Sequence, residues 1–115
     1  MSSTPAIRVV LTTLPDSDIA GRIARELVSA RLAACVNILA PCRSIYRWQE
    51  SGDQADGVHE DGEVPLIIKT SAARYAALET FLREKHPYQL PEILVLDAVD
   101  GLPDYLRWVA NAVHA

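Results

Sequence analysis

Apolar and polar positions alternate along this chain with two different periods. Four stretches are rich in β-branched and apolar residues, which is typical of strands, and they cover residues 6–13, 34–49, 64–70 and 92–99. In 17–32 and 71–85 the apolar residues recur about every fourth position instead, which predicts helices with one buried side. A short last helix is predicted from Pro103, because proline fits the first helical turn.

These elements follow one another in the order β-α-β-β-α-β-α. The first six form the split βαβ, or ferredoxin-like, arrangement, in which two helices cover one face of an antiparallel four-stranded sheet. The predicted fold class is therefore an α+β sandwich with a C-terminal helix, in a single domain over 1–115. Leucine, isoleucine and valine point to both sides of the strands, so we expect the face without helices to be buried by oligomerisation.

The predicted strand 34–49 is longer than the mean strand of about 5–6 residues, so we expect it to bend or to change partners at Pro41. Its second half carries Tyr46 and Trp48 on the same side, which indicates a surface for another subunit. The connection 51–62 is rich in glycine and acidic residues and is predicted to be a flexible hairpin loop.

Charge and length argue against two classes of partner. The net charge of −4 and the lack of a basic stripe argue against nucleic-acid binding. No apolar run approaches the ~20 residues of a membrane helix. Residues 1–5 lack the basic start and apolar stretch of a secretory signal and are predicted to be a disordered tail. A cytoplasmic location is therefore expected.

The two cysteines, Cys35 and Cys42, are expected to stay reduced. In an extended chain their Cα atoms lie about 23 Å apart, whereas a disulfide needs less than ~7 Å. One hypothesis pairs the Cys35 thiolate with the His86 imidazole as the nucleophile and base of an enzyme. The alternative is that Cys35 is a small buried residue of a strand, and the chain contains none of the strong catalytic motifs.

The segment 86–92 is a candidate for ligand binding. Two prolines restrict its backbone and fix the directions of His86, Tyr88 and Glu92. A rigid loop that displays an imidazole, a phenol and a carboxylate indicates a ligand site, while the alternative is a stiff connector between helix and strand. The aromatic and lysine side chains of the predicted hairpin either anchor an interface between subunits or belong to the same ligand site. The candidate residues of the binding cleft are Tyr46, Trp48, Lys69, His86, Tyr88 and Glu92.

Several segments together resemble one known family. They are VVLTTLPD at 9–16, RLAACVNI at 31–38, SIYRW at 44–48, IKT at 68–70, HPYQLPEI at 86–93 and YLRW at 105–108. In this order they resemble the CutA family of divalent-cation tolerance proteins over roughly 7–113. The resemblance implies a homotrimer of ferredoxin-like subunits, built like the PII signalling proteins, in which the hairpin strands pair between neighbours. It also implies a link to the tolerance of copper and other divalent metals, without an established catalytic reaction.

The sequence departs from this family at proposed copper ligands. Members with such ligands carry a cysteine where this chain has Thr12, and a second histidine where it has Lys85. His86 remains, and Cys35 is the other candidate metal ligand. We therefore expect no required cofactor and weak binding of a divalent metal, with Cu(II) ahead of Zn(II).

Three functions follow as hypotheses. The first is a trimeric cytoplasmic binding or signalling module linked to divalent metal tolerance, with inter-subunit clefts that bind a divalent metal or a small anionic ligand. The second is an enzyme that uses Cys35 and His86, and the third is a structural scaffold. The first is preferred, so the protein is not expected to be an enzyme.

Overall fold

The structure, a computed structural model, describes residues 4–48 and 57–114. These residues form strands and α-helices joined by short connections. The strands are β1 (Ile7–Leu14), β2 (Cys35–Ile38), β3 (Cys42–Arg47), β4 (Val58–Ser71) and β5 (Leu94–Asp97). The helices are α1 (Ser17–Ser29), α2 (Tyr75–Lys85) and α3 (Pro103–Ala112), and one 3-10 turn, Ala72–Arg74, precedes α2.

Strand β4 lies at the centre of an antiparallel sheet. Its second half pairs with β1 on one side and β2 on the other, and β1 also pairs with β5, which gives the order β2-β4-β1-β5. Helices α1 and α2 pack on one face of this sheet. The core between them consists of buried aliphatic side chains, including Val10, Leu14, Ile23, Leu27, Leu66, Ile68, Leu78 and Leu82. This arrangement confirms the predicted ferredoxin-like α+β fold.

The long predicted strand bends where proline was expected to interrupt it. Strand β2 ends at Ile38 and β3 begins at Cys42, with Pro41 in the gap. Both strands pair with β4, so the chain bends without changing its partner. Proline has no N–H to donate to the ladder, which explains why the interruption falls there.

The hairpin loop predicted over 51–62 extends too far towards the C-terminus, because residues 58–62 belong to a strand. Strand β4 already begins at Val58, and the ladder with β3 runs from Arg47 opposite Val58 to Cys42 opposite Glu63. Cross-strand partners explain the difference, since the Arg43 guanidinium donates to both carboxylate oxygens of Glu60 at 3.0 and 3.1 Å. The remainder of the predicted loop, 51–56, lies outside the described residues.

The two-stranded hairpin made of β3 and residues 58–63 of β4 is called the arm below. The arm extends the sheet beyond the part that the helices cover. Of the predicted N-terminal tail 1–5, residues 1–3 lie outside the described residues, while Thr4 and Pro5 have no regular secondary structure.

The ends of α1 follow local side-chain rules. Asp16 is the N-cap, and its side chain accepts a hydrogen bond from the Ile19 N–H at 2.8 Å. At the other end Arg31 takes a left-handed conformation with φ 58°. The Leu32 N–H donates to the Leu27 carbonyl at 2.9 Å, and the Arg31 N–H donates to the Val28 carbonyl at 3.1 Å. This is the Schellman motif, with arginine at a position that glycine usually occupies.

Helix α3 packs on the other face of the sheet but covers only one end of it. Its Leu106 and Val109 bury Ile7. Tyr105 and Trp108 are 41% and 49% exposed, because the helix turns its leucine and valine inward. None of the helices in residues 4–48 and 57–114 is long and apolar enough to cross a membrane.

Candidate functional site

A cleft of about 920 Å³ lies where the arm meets the segment that follows α2. Strands β3 and β4 form one wall, and the loop 87–92 forms the other. This volume lies within the range of about 300–1,000 Å³ that is usual for small-molecule sites. The lining side chains that can recognise a ligand are Tyr46, Trp48, Asp61, Glu63, Tyr88 and Glu92.

On the arm wall a phenol is joined to a carboxylate. The Tyr46 hydroxyl donates a hydrogen bond to Asp61 Oδ2. Tyr46 also stacks on its cross-strand neighbour His59, with ring centroids 5.7 Å apart. The His59 Nε2 atom lies 2.8 Å from the Trp48 carbonyl oxygen, so the outer part of the arm is tied together by its own side chains.

A second phenol–carboxylate pair joins the two walls. The Tyr88 hydroxyl donates to Glu63 Oε2 at 2.9 Å. Burial, together with this bond to Glu63, raises the pKa of Tyr88 above its ordinary value of 10.0. The phenol therefore remains a neutral hydrogen-bond donor at physiological pH, and it holds the Glu63 carboxylate in place.

His86 lies behind the cleft and fixes the loop rather than lining the cavity. It is buried, and its Nδ1 accepts a hydrogen bond from the Tyr88 N–H at 3.1 Å. The ring proton must then be on Nε2, which donates to the Thr13 carbonyl at 2.8 Å. Burial lowers the pKa of His86, which favours this neutral form. Both ring nitrogens are engaged, so metal binding by His86 would require one of these bonds to break.

Lys69 lies away from the cleft. It is the ladder partner of Cys35 on β2, and its Nζ donates to Asn37 Oδ1 at 2.5 Å. The Cys35 thiol lies 3.9 Å from the same oxygen. The structure therefore brings Lys69 and Cys35 together at another part of the sheet, and it separates both from Tyr46, Trp48, Tyr88 and Glu92.

Cys35 and His86 do not meet within one subunit. Cys35 pairs with Lys69, whereas His86 bonds to Thr13, whose partner on β4 is Pro65. Four residues of β4 separate these points, or about 13 Å at ~3.3 Å per residue. Within one subunit the hypothesis of a thiolate–imidazole pair therefore fails, because the sheet holds the two side chains apart. The same separation prevents them from sharing a metal ion there.

Metal-binding side chains do not converge in the described part of the chain. No group of three or more His, Cys, Asp or Glu residues in 4–48 and 57–114 could hold a metal ion. Both cysteines are free thiols, and Cys42 Sγ lies 3.8 Å from Ser44 Oγ. Thr12 is buried, and its hydroxyl has no hydrogen-bond partner among these residues.

The charge of the cleft is negative. Asp61, Glu63 and Glu92 line it, and none of the described lining residues is a lysine or an arginine. An anion would therefore meet three carboxylates without a cationic partner. This lining in a single subunit does not favour the small anionic ligand that was expected from the sequence.

Asp61 and Glu63 were not among the residues predicted to line the cleft. Asp61 lies in the segment 51–62, which was assigned to a loop because of its glycine and acidic residues, and Glu63 directly follows that segment. The sequence carried no strand signal at this point, because residues 59–63 are all polar or glycine and therefore show no alternation of apolar and polar positions.

The sequence is similar to proteins of one family. The family model described as CutA1 divalent ion tolerance protein matches residues 8–112. Protein CutA of Mus musculus is 38% identical over 110 residues, which are 96% of this chain, and the chain spans only 59% of that protein's length. Divalent-cation tolerance protein CutA of Thermus thermophilus is 43% identical over 101 residues, covering 88% of this chain and 92% of that protein.

The fold is similar to the folds of solved CutA structures. The divalent cation tolerance protein CutA1 from Thermus thermophilus matches with a TM-score of 0.83 and 42% identity, over 92% of this chain and 97% of that chain. A protein from Archaeoglobus fulgidus, described as periplasmic divalent cation tolerance protein CutA, matches with a TM-score of 0.84 and 29% identity, over 94% and 99% of the two chains.

Proposed function

The chain belongs to the CutA1 family of divalent ion tolerance proteins, and on this premise we propose that it is a homotrimeric binding or signalling module of divalent-cation tolerance. The observation that carries the proposal is the position of the cleft at the base of the arm. The arm is the part of the chain that we expect to pair with neighbouring subunits. A ligand in the cleft would contact the same strands and could therefore influence assembly.

Exposed apolar surface supports the association of subunits. On the arm, Ile45 and Val58 are 63% and 49% exposed. On the sheet face that α3 leaves uncovered, Leu94 and Leu96 are 53% and 49% exposed. An isolated subunit would leave these patches in water, whereas association would bury them.

Direct metal binding is proposed to be weak. The cleft offers carboxylates, which are poor at selecting copper or zinc without imidazole or thiolate partners. His86 is engaged through both nitrogens, and Cys35 lies at another part of the sheet. A second subunit would have to supply the missing donors for a tighter site. Within this weak binding, Cu(II) should precede Zn(II) by the usual affinity order.

We also propose that the protein works in the cytoplasm. Cys35 and Cys42 are free, and their ladder partners Lys69 and Glu63 lie six residues apart on β4, or about 20 Å. Two free thiols suit a reducing compartment. The relative from Archaeoglobus fulgidus that is described as periplasmic makes the extracytoplasmic space the alternative.

The role as an enzyme is not favoured. The Cys35 thiol lies near Asn37 and Lys69 rather than near a histidine, so no base is placed to activate it in one subunit. A structural scaffold remains the competing function, and it predicts that the cleft binds no cation of any kind.

The proposal is tested by mass and by calorimetry on the same sample. Light scattering should give three times the subunit mass of 12.6 kDa. Titration with Cu(II) and Zn(II) at pH 7.5 should show weak binding that Asp61→Asn reduces and that His86→Gln leaves nearly unchanged. A monomer at micromolar concentration would contradict the trimer, and stoichiometric sub-micromolar binding would contradict the weak site.

A further inference from the structure

The lining of the cleft combines two kinds of surface that rarely suit the same ligand. Tyr46, Trp48 and Tyr88 supply aromatic rings, and Asp61 and Glu63 supply negative charge. A bare metal ion uses the carboxylates but gains nothing from the rings, and an anion is repelled. An organic cation can use both, because its charge pairs with carboxylates and its carbon chain packs on rings.

The spacing of the two carboxylates on the arm determines how far apart the positive charges of a ligand should be. Asp61 and Glu63 are two residues apart on β4, so they point to the same side, about 6.6 Å apart along the strand at ~3.3 Å per residue. They do not surround one point, in agreement with the lack of a metal-binding group among the described residues. Two separate positive charges would match them better than one concentrated charge.

The tyrosines fix each carboxylate and leave part of it available. Tyr46 bonds to Oδ2 of Asp61, and Tyr88 bonds to Oε2 of Glu63. The second oxygen of each carboxylate can still accept from a ligand, since a carboxylate has about four acceptor positions. The carboxylates are thus held before any ligand arrives, which lowers the cost of binding.

We propose that the cleft binds a linear organic dication, a diammonium alkane of four or five carbons, with one ammonium group at Asp61 and the other at Glu63. The methylene chain lies along the rings of Tyr46 and Tyr88, and Glu92 adds negative charge from the opposite wall. This inference rests on the proposed function, for which it names the class of ligand. It involves binding alone, and no bond is formed or broken.

The test is a calorimetric titration of the assembled protein with amines of increasing length. The probes are 1,2-diaminoethane, 1,4-diaminobutane, 1,6-diaminohexane, the monoamine butylamine, and magnesium chloride as a dication without carbon. We expect 1,4-diaminobutane to bind at least about tenfold more tightly than butylamine or magnesium, because one charge-assisted hydrogen bond is worth about 1.5–3 kcal/mol. Equal affinity of magnesium and 1,4-diaminobutane would overturn the inference, because it would show a response to ionic charge alone.

Matched variants locate the site. Asp61→Asn and Glu63→Gln each remove one negative charge from the cleft but keep an oxygen that can accept from the tyrosine. Each should weaken diaminobutane binding by about tenfold. Glu60→Gln is the control, because it removes the same charge from the neighbouring position of β4, where Glu60 pairs with Arg43 on the other side of the arm. An equal loss in Glu60→Gln would place binding outside the cleft and overturn the inference.

The same samples separate this inference from the proposed function. Light scattering before each titration reports the oligomer, and thermal unfolding reports whether each variant is folded. A trimer that binds divalent metals weakly but no diamine would overturn the inference and leave the proposed function standing. A monomer that binds diamine at Asp61 and Glu63 would support the inference and contradict the trimeric module.

Discussion

At the scale of the residue, His86 was predicted to line the binding cleft, whereas in the structure both of its ring nitrogens bond to the backbone behind the cleft. Its place beside Pro87 and Tyr88 made it a candidate ligand. In the structure it connects the start of the loop to the end of β1, through Tyr88 N–H and the Thr13 carbonyl. The sequence contains the imidazole and its neighbours, but it does not show that the ring donates a hydrogen bond to a strand carbonyl 73 residues away.

The first prediction concerns His86 and pH. Its folded-state pKa is lowered from 6.5, so the unfolded chain binds this proton more readily than the folded chain. Its contribution to stability is therefore complete above pH 6.5 and is lost as the pH falls below that value. Chemical unfolding at pH 7.5 and 5.5 should show a smaller pH-dependent loss in His86→Gln than in the parent protein.

His86→Gln should also be less stable at pH 7.5 by about 1–3 kcal/mol, since two partly buried backbone groups, each worth about 0.5–1.5 kcal/mol when bonded, lose well-placed partners. His114→Gln is the control, because that residue is exposed near the C-terminus. If the two variants showed the same pH dependence, the neutral, doubly bonded state of His86 would be wrong.

A second residue-scale prediction concerns Arg31. Its left-handed conformation, φ 58°, is unfavourable for a residue with a side chain, by roughly 1–2 kcal/mol. Arg31→Gly should therefore raise the free energy of unfolding by up to about 1 kcal/mol. Its carbonyl oxygen, which accepts from Arg74 Nε at 3.1 Å, is retained in this variant. Arg31→Val is the contrasting change and should lower stability, as measured by urea unfolding.

At the scale of the element, apolar periodicity predicted the strands and helices of the core, but it did not predict the first half of β4, which forms part of the arm. Residues 64–70 were recognised as a strand because most of their side chains are aliphatic. The first half of β4 was missed, because its acidic residues become part of a strand only when Arg43 and Tyr46 face them. Such partners depend on register, which a linear pattern does not show.

The element-scale prediction concerns glycine in the arm. A Cβ added at Gly62 would meet nothing closer than the Cys42 carbonyl oxygen at 4.0 Å. Gly62→Ala should therefore stabilise the protein by about 0.5–1 kcal/mol, because alanine loses less conformational freedom on folding. Gly101→Ala is the matched contrast, since its Cβ would lie 3.1 Å from Leu106 Cδ2 and should reduce stability. Thermal unfolding of both variants provides the measurement, and a destabilised Gly62→Ala would contradict the description of the arm.

At the scale of the whole molecule, one face of the sheet remains apolar after the chain has folded. Leu96 faces Val9 across the ladder, and Leu94 faces Leu11, which in turn faces Ile67. Helix α3 covers the other end of this face at Ile7. The alternation of the strands indicated such a two-sided sheet, but only the structure shows how much of it α3 leaves uncovered.

The whole-molecule prediction follows from that face. Leu96→Glu would place a charge in the buried centre of the proposed trimer and should reduce the mass measured by light scattering to that of one subunit, 12.6 kDa. Ala77→Glu adds the same charge at an exposed position of α2 and should leave the oligomer unchanged. A Leu96→Glu protein with the parent mass would exclude this face from the interface.

The central position of β4 also determines when the sheet can begin to form during synthesis. Among the described strands, β2 and β3 pair only with β4, and β1 pairs only with β4 and β5. A nascent chain that has not yet reached Val58 therefore contains no complementary pair of strands. The first half of the protein must leave the ribosome with its strands unpaired. None of β1, β2 and β3 can join the sheet until β4 has been synthesised. Folding should thus be slow and governed by long-range closure, and the unfinished chain should depend on chaperones more than the finished one.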